Sequence, residues 1–211
     1  MKQIILILLT CSISLIAANK KIMEVVDIPF KEASMLKGYT EFMDISIYAK
    51  TVDEDTQESY FDEELEDDGT YPVLVYITND SRKKVVVYAK DSTLNGLAQT
   101  NLREIITPYQ SGVLTSKAVF ATLFNVTSLG MRMADGGDKM ADGHAQAHVE
   151  EIRNEFYSKT LKQTLLYPGD TIVGFMFFDA KKVNKDGSIN MKMQFMDSLE
   201  KYDIKTKVHK K

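Results

Sequence analysis

Alternation of apolar and polar residues with a period of two is the feature that most constrains the fold of this chain. The segments 43–50 and 189–195 alternate cleanly, so each is predicted to be a strand with one buried face. The buried positions predicted in this way are Met43, Ile45, Ile47 and Ala49 in the first segment and Met191, Met193 and Phe195 in the second. The segments 71–78 and 171–178 are runs of β-branched and aromatic residues, which are typical of strands. The fold is therefore predicted to be mainly β.

Turn-forming residues suggest how these strands are connected. The segment 79–83 is rich in such residues, and a β-branched run follows it, so 71–89 is predicted to be a β-hairpin. The turn 184–187 is predicted to form a second hairpin, between 171–178 and 189–195. This second turn partly resembles a calcium-binding EF-hand loop. Calcium binding is excluded because Lys182 and Met193 stand where that loop needs carboxylates.

Between the two β regions the period changes to that of a helix. Residues 111–133 are small and apolar, and charges recur at helical spacing over 144–165. On the second segment Val149, Ile152 and Phe156 form one apolar stripe, with Tyr157 at its margin. A two-helix insertion is therefore predicted at about 111–165. It belongs to a single domain that spans 19–211.

The order of these parts resembles a family of uncharacterised secreted proteins and lipoproteins of Gram-negative bacteria. The resemblance is carried by YPVLVYITNDS at 71–81, the insertion 111–143, NEFYSK at 154–159 and PGDTIVGFMFF at 168–178. It implies an immunoglobulin-like β-sandwich carrying the helical insertion, and a location in the cell envelope. It implies no activity, because none is assigned to that family.

The N-terminus has the pattern of an export signal. Lys2 precedes a mostly apolar stretch that ends at Ala17–Ala18, where small residues suit a signal peptidase. Residues 1–18 are therefore predicted to be a signal peptide. The location predicted is the periplasm or the outer-membrane periphery of a Gram-negative bacterium. An uncleaved N-terminal anchor is the alternative.

Cys11 allows a different form of export. The sequence Leu8-Leu9-Thr10-Cys11 is similar to a bacterial lipobox, in which the cysteine is lipidated, although Thr10 departs from the usual small residue. Cys11 is also the only cysteine, which excludes an intramolecular disulfide framework and a cysteine-based zinc site.

Three side chains could form a metal site. His144 and His148 are four residues apart and Glu151 follows three later, so a helix would place all three on one face. Two imidazoles and a carboxylate suit Zn²⁺ or Cu²⁺, but a solvated helix start is the favoured interpretation and the metal site is the alternative. Paired methionines at 131, 133, 191, 193 and 196 suggest Cu(I), but strand alternation favours the core for Met191 and Met193.

Two segments carry charge of one sign. Residues 53–68 contain ten acids and no base, and are predicted to be a solvated, partly disordered loop, with weak Ca²⁺ binding or docking of a basic partner as the alternative. The C-terminal lysines form either a frayed tail or a surface for anionic lipid headgroups or the acidic loop. These lysines are Lys201, Lys205, Lys207, Lys210 and Lys211.

The apolar segment 113–131 leaves a further alternative open. The uncharged stretch between Lys117 and Arg132 is shorter than a membrane-spanning helix, which needs about 20 residues. The segment is predicted to pack on the β-sandwich. In the alternative, it inserts into a membrane or binds a partner.

The net charge of −4 argues against a general nucleic-acid binder, and the sequence lacks the common nucleophile, Walker and Rossmann motifs. The function predicted is therefore a non-catalytic binding or structural module of the cell envelope. Its partner would be another envelope protein or a membrane surface. The alternatives are a periplasmic metal-binding protein using His144, His148 and Glu151, and a membrane-associated protein acting through 113–131.

Overall fold

A computed structural model describes residues 27–61, 65–106, 150, 153–184 and 187–210. These residues include ten strands: β1 Thr40–Phe42, β2 Ile45–Thr51, β3 Thr70–Asn79, β4 Val85–Val87, β5 Thr93–Leu94, β6 Leu97–Ala98, β7 Thr164–Leu166, β8 Thr171–Asp179, β9 Ser188–Phe195 and β10 Lys201–His209. The helical segments are α1 (Glu54–Phe61), α2 (102–106) and α3 (153–159), with 3-10 turns at Ala33–Met35 and Ala89–Asp91. The prediction of a mainly β fold is confirmed.

The ten strands form one curled sheet with two halves. The first half contains β1, β2, β3 and β8, in which β3 lies between β2 and β8 with antiparallel pairing on both sides. The second half contains β4, β5, β6, β7, β9 and β10, built around the antiparallel pair β9–β10. The halves are joined where the end of β10 pairs in parallel with β2, at Val208 opposite Ala49.

The main hydrophobic core lies between the two halves. It combines Ile45, Ile47 and Ala49 of β2 with Met191, Met193 and Phe195 of β9, as the alternation predicted. Met43 is the exception, because it lies in the β1–β2 turn and is exposed. Since one buried cluster draws side chains from both halves, the halves pack face to face.

The predicted hairpin at 71–89 is wrong. β3 pairs with β2 and β8, whereas β4 pairs with β7 and β9. The Asn79 amide nitrogen donates to the carbonyls of Lys83 (2.8 Å) and Leu166 (3.2 Å), and its oxygen accepts from Ser81. These hydrogen bonds turn the chain out of the first half and into the second. The turn residues therefore mark a turn, but they do not make its flanking strands partners.

The second predicted hairpin, across residues 184–187, is also wrong. β8 belongs to the first half and β9 to the second, so their connection crosses between the halves. Hairpins join β1 to β2, β5 to β6 and β9 to β10 instead. In the β5–β6 turn Asn95 and Gly96 have φ values of 51° and 84°, as a two-residue type I′ turn requires.

A layer of helices covers the outer face of the first half. Tyr60 and Phe61 of α1, Ile106 of α2 and Phe156 of α3 form a second buried cluster with outward side chains of β3 and β8. Those sheet side chains are Leu74, Tyr76, Phe175 and Phe177. Buried on both faces, β8 therefore has a nearly continuous apolar sequence rather than an alternating one.

Close approach of the chain to β8 requires a glycine. Thr160 forms a bridge with Phe175, and the Leu161 amide donates to the Phe175 carbonyl at 2.8 Å. A β-carbon added at Gly174 would lie 2.7 Å from the backbone nitrogen of Leu161. Only glycine leaves room for this contact, which covers the edge of β8.

The acidic segment was predicted to be a loop. This prediction is wrong for Glu54–Phe61, which forms a helix. The Asp53 carboxylate accepts from the Thr56 amide at 3.0 Å and caps the helix, and Glu54 and Asp55 lie in its first turn, where acids are favourable. The helix is held in place by burial of Tyr60 and Phe61.

Two boundaries near the C-terminus also differ from prediction. Within the predicted insertion 111–165 the helical residues 153–159 are followed by β7 at Thr164–Leu166, so the helix ends earlier than expected. Phe156 is buried as predicted, while Tyr157 is exposed. The C-terminal lysines up to Lys207 lie in β10 and are not a frayed tail.

We expect Thr206→Val to stabilise the protein by about 1 kcal/mol, because the Thr206 hydroxyl is buried without a hydrogen-bond partner among the described residues. Valine has nearly the same shape and removes that unpaired group. Urea unfolding measures the difference. Thr78→Val is the matched control and should destabilise, because the Thr78 hydroxyl accepts from the Ala33 amide at 2.8 Å. A lower stability for Thr206→Val would contradict this account.

Candidate functional site

Most side chains singled out from the sequence lie outside the described residues. This applies to the predicted metal ligands His144, His148 and Glu151, to Cys11 and the predicted signal peptide 1–18, and to the apolar segment 113–131. Of the methionines, Met191 and Met193 lie in the core and Met196 is exposed. The described part of the chain contains no group of three histidine, cysteine or acidic side chains that could hold a metal ion.

The acidic segment borders a small cavity. Asp53, Glu54, Asp55 and Glu66 line an open space of about 270 Å³ beside α1. The lining is entirely acidic, on the outer side of the helical layer. Its charge can attract cations or a basic surface, but the spacing of the carboxylates does not form a metal site among the described residues.

No helix in the described ranges is both long enough and apolar enough to span a membrane.

The outer face of the second half carries a different combination of side chains. Here β7, β4, β9 and β10 lie side by side and point alternate residues away from the core. We call this surface the lysine face. It comprises Lys84, Val86, Tyr88, Leu165, Tyr167, Asn190, Lys192, Gln194, Met196, Leu199, Lys201, Asp203, Lys205 and Lys207.

The strand register sets the spacing of the lysines. On β10, Lys201, Lys205 and Lys207 alternate with buried residues and therefore point outwards. Lys192 of β9 lies opposite Asp203, while Lys201 and Lys205 lie opposite the neutral side chains Gln194 and Asn190. Asp203 is thus the one acid among the paired outward positions of β9 and β10.

Large apolar side chains border one end of the lysine face. They are 37% exposed at Leu165, 49% at Tyr167, 45% at Met196 and 67% at Leu199. We call these four residues the apolar rim. Lys84 brings Met196 and Tyr167 together, because the Met196 amide donates to the Lys84 carbonyl at 3.0 Å and the Lys84 ammonium lies 4.7 Å from the Tyr167 ring centroid.

Hydrogen bonds hold the turn that carries part of the rim. Tyr88 donates to the Gln194 side-chain oxygen at 2.6 Å, and the Gln194 amide donates to the Leu199 carbonyl at 2.9 Å. Leu199 has a φ of 57°, a conformation that is uncommon for a leucine. The network therefore fixes an exposed leucine in a strained backbone position.

Ion pairs and cation–π contacts order the charges around the rim. Lys83 lies 2.7 Å from the Asp197 carboxylate, and this hydrogen bond lowers the pKa of Asp197. The Lys201 ammonium lies 5.5 Å from the Tyr88 ring centroid. A hydrogen bond with Glu200 raises the pKa of the Tyr202 hydroxyl. The lysine face thus joins cations, aromatic rings and exposed aliphatic groups, which suits a ligand with anionic and apolar parts.

The sequence predicted the lysines of β10 as a frayed tail or as a surface for anionic lipid headgroups or the acidic loop, but not as one face of a strand. In 201–209 lysines alternate with apolar or β-branched residues, which indicates a strand with one basic face. The apolar rim had no such signal, because it brings together residues from two distant parts of the chain.

A buried ion pair lies in the helical layer, on the other side of the molecule. The Lys159 ammonium contacts the Glu155 carboxylate and donates to the Tyr60 carbonyl, each at 2.5 Å. It also lies 5.7 Å from the Phe61 ring centroid. Because Lys159 and Glu155 belong to α3 and Tyr60 to α1, the pair ties the two helices together. Nearby, burial raises the pKa of Tyr76 to about 12.

Comparisons with protein-family models, curated proteins and solved structures gave no match. The family resemblance, and the envelope location that it implies, therefore stay predictions.

Proposed function

We propose that this chain is an exported, non-catalytic binding module of the envelope of a Gram-negative bacterium, and that it binds its partner through the lysine face. The observation that most strongly supports binding through the lysine face is the apolar rim beside the lysines. Exposed leucine, methionine and tyrosine side chains grouped at one edge of a charged surface are typical of an interaction site.

The distribution of charge supports the same proposal. The acidic side chains around α1 lie on the outer side of the helical layer, whereas the lysine face is the outer side of the second half. The net charge of −4 therefore conceals a basic surface on the opposite side of the molecule. Such separation orients a protein towards an anionic partner.

We further propose that the two packed halves form an immunoglobulin-like β-sandwich, with the helical layer provided partly by the insertion. The antiparallel pairing within each half and the shared core between them favour this assignment. The parallel β10–β2 pair, which joins the halves, is a departure from two separate sheets.

The proposal is tested by photo-crosslinking in the expressing bacterium. A photoreactive residue in place of Leu199 is expected to give a discrete adduct with an envelope component. The same residue in place of Met35 is the control, because Met35 is 73% exposed but lies on the side of the helical layer. The Leu199 adduct should be lost in the variant Lys192→Gln/Lys205→Gln/Lys207→Gln.

Equal crosslinking from both positions, or an adduct that survives the loss of the three lysines, would count against the lysine face. Mass spectrometry of the same sample tests export. An N-terminus near Ala18 or Asn19, or a lipid on Cys11, is expected, whereas an intact Met1 on cytosolic protein would contradict the proposed location.

A further inference from the structure

We infer that the partner of the lysine face is the surface of an anionic phospholipid bilayer, which the protein meets with its apolar rim at the level of the headgroups. This inference rests on the proposed function, since it names the ligand of the same surface. It follows from the charge of the face, the chemistry of the rim and the arrangement of the two.

The net charge of the face, five lysines against the single acid Asp203, is positive and matches a layer of phosphate groups. The exposed side chains of Lys84, Lys192, Lys201, Lys205 and Lys207 spread over adjacent strands, so they form a broad surface rather than a pocket. An extended basic surface fits many headgroups at once. Each lysine near an anionic membrane strengthens binding by about fivefold.

The rim supplies the side chains that enter the interface. Tyrosine is enriched at membrane–water interfaces because its ring is apolar and its hydroxyl is polar, and Tyr167 is half exposed beside Lys84. Leu199 and Met196 protrude from the adjacent β9–β10 turn. Contact of these apolar side chains with water is unfavourable. Their transfer to the acyl boundary removes that apolar surface from water and so favours membrane binding.

The arrangement distinguishes a bilayer from a second copy of this chain. In a dimer, the acidic cavity of a second copy would be the surface complementary to the lysines. This cavity is lined by Asp53, Glu54, Asp55 and Glu66. That lining provides no apolar side chain to cover Leu199 and Tyr167. A bilayer satisfies the lysines and the rim together.

Co-sedimentation with vesicles tests the inference, using the protein exported and recovered from the expressing bacterium. Binding to phosphatidylglycerol vesicles is expected to exceed binding to phosphatidylcholine vesicles and to weaken with added salt. The variant Lys192→Gln/Lys205→Gln/Lys207→Gln should bind phosphatidylglycerol roughly 100-fold more weakly. The control variant Lys31→Gln/Lys37→Gln/Lys181→Gln has the same net charge as the lysine variant. It loses three exposed lysines that lie outside the lysine face, two before β1 and one after β8.

A second pair of variants tests the rim. Met196→Ser/Leu199→Asn should weaken binding by about tenfold, because two side chains no longer enter the interface. Asparagine tolerates the left-handed conformation of Leu199, so the turn is kept. The control Phe30→Ser/Met35→Ser removes two exposed apolar side chains from the other side of the molecule. Every variant has the same N-terminal segment, so differences between them report on the lysine face.

The outcomes separate the inference from the proposed function. Equal phosphatidylglycerol binding by the lysine variant and its control overturns the inference. If no form of the protein binds vesicles but the lysine variant still abolishes the Leu199 adduct, the bilayer is overturned and the binding surface stands. Vesicle-independent self-association that the lysine variant abolishes assigns the face to a second copy and also overturns the bilayer.

Discussion

Phe61→Ala is expected to destabilise the protein by about 4 kcal/mol, one of the two largest effects that the structure implies. Phe61 is fully buried at the end of α1, in the segment whose sequence suggested a solvated acidic loop. Its ring centroid lies 4.8 Å from that of Phe156 and 4.9 Å from that of Phe175. The substitution therefore leaves a cavity where two helices meet β8, and urea or thermal unfolding measures the loss.

Phe30→Ala is the matched control for this prediction. Phe30 is the same residue type in the described chain but is 69% exposed, so its truncation should change the free energy of unfolding by less than about 0.5 kcal/mol. Similar losses from the two substitutions would show that α1 is not held by its aromatic end. Binding through the lysine face should be unaffected by either substitution, because both residues belong to the other side of the first half.

Lys159→Met is expected to cost about 3–5 kcal/mol, because it leaves the Glu155 carboxylate buried without its cation. Lys159 and Glu155 are both largely buried, and the ammonium also satisfies the Tyr60 carbonyl. The substitution therefore removes a charge partner and a hydrogen-bond donor at one point. Methionine keeps much of the side-chain volume, so the loss reports on polar contacts more than on packing.

The double variant Glu155→Gln/Lys159→Met separates the two contributions. Removing the stranded charge should recover part of the stability, which a double-mutant cycle measures. Lys182→Met is the control, because Lys182 forms an exposed i,i+3 pair with Asp179 at 2.8 Å and its loss should leave the free energy of unfolding nearly unchanged. A double variant no more stable than Lys159→Met would show that the charge of Glu155 is already well solvated.

The local pattern of the sequence determined that β2, β3, β8 and β9 are strands and which faces of β2 and β9 are buried, but it did not identify β7 or β10. In β2 and β9 the predicted buried positions from Ile45 to Ala49 and from Met191 to Phe195 all lie in the core between the halves. This prediction succeeds because alternation follows from the geometry of one strand and from water on its other face. The helical stripe at Phe156 succeeds for the same local reason.

Strand partners were decided only by the tertiary structure. Asn79 and its neighbours form a turn as expected, but that turn carries the chain from one half of the sheet to the other. A turn fixes the direction of the chain over a few residues, whereas pairing depends on which strands can bury both of their faces. All ten residues of β3 are buried, so β3 takes a central position between β2 and β8.

In the acidic segment and the lysine face, too, the sequence specified some features and only the tertiary structure decided the others. By composition the acids of 53–68 indicate a solvated surface, yet Tyr60 and Phe61 fold part of the segment into a helix because an aromatic cluster on β8 receives them. The lysines of β10 are evident in the sequence. The apolar rim forms only when β7, β4 and the β9–β10 turn come together, since Tyr167, Lys84 and Met196 are distant in sequence and adjacent in the sheet. Local periodicity specifies faces, and only long-range packing decides which faces meet.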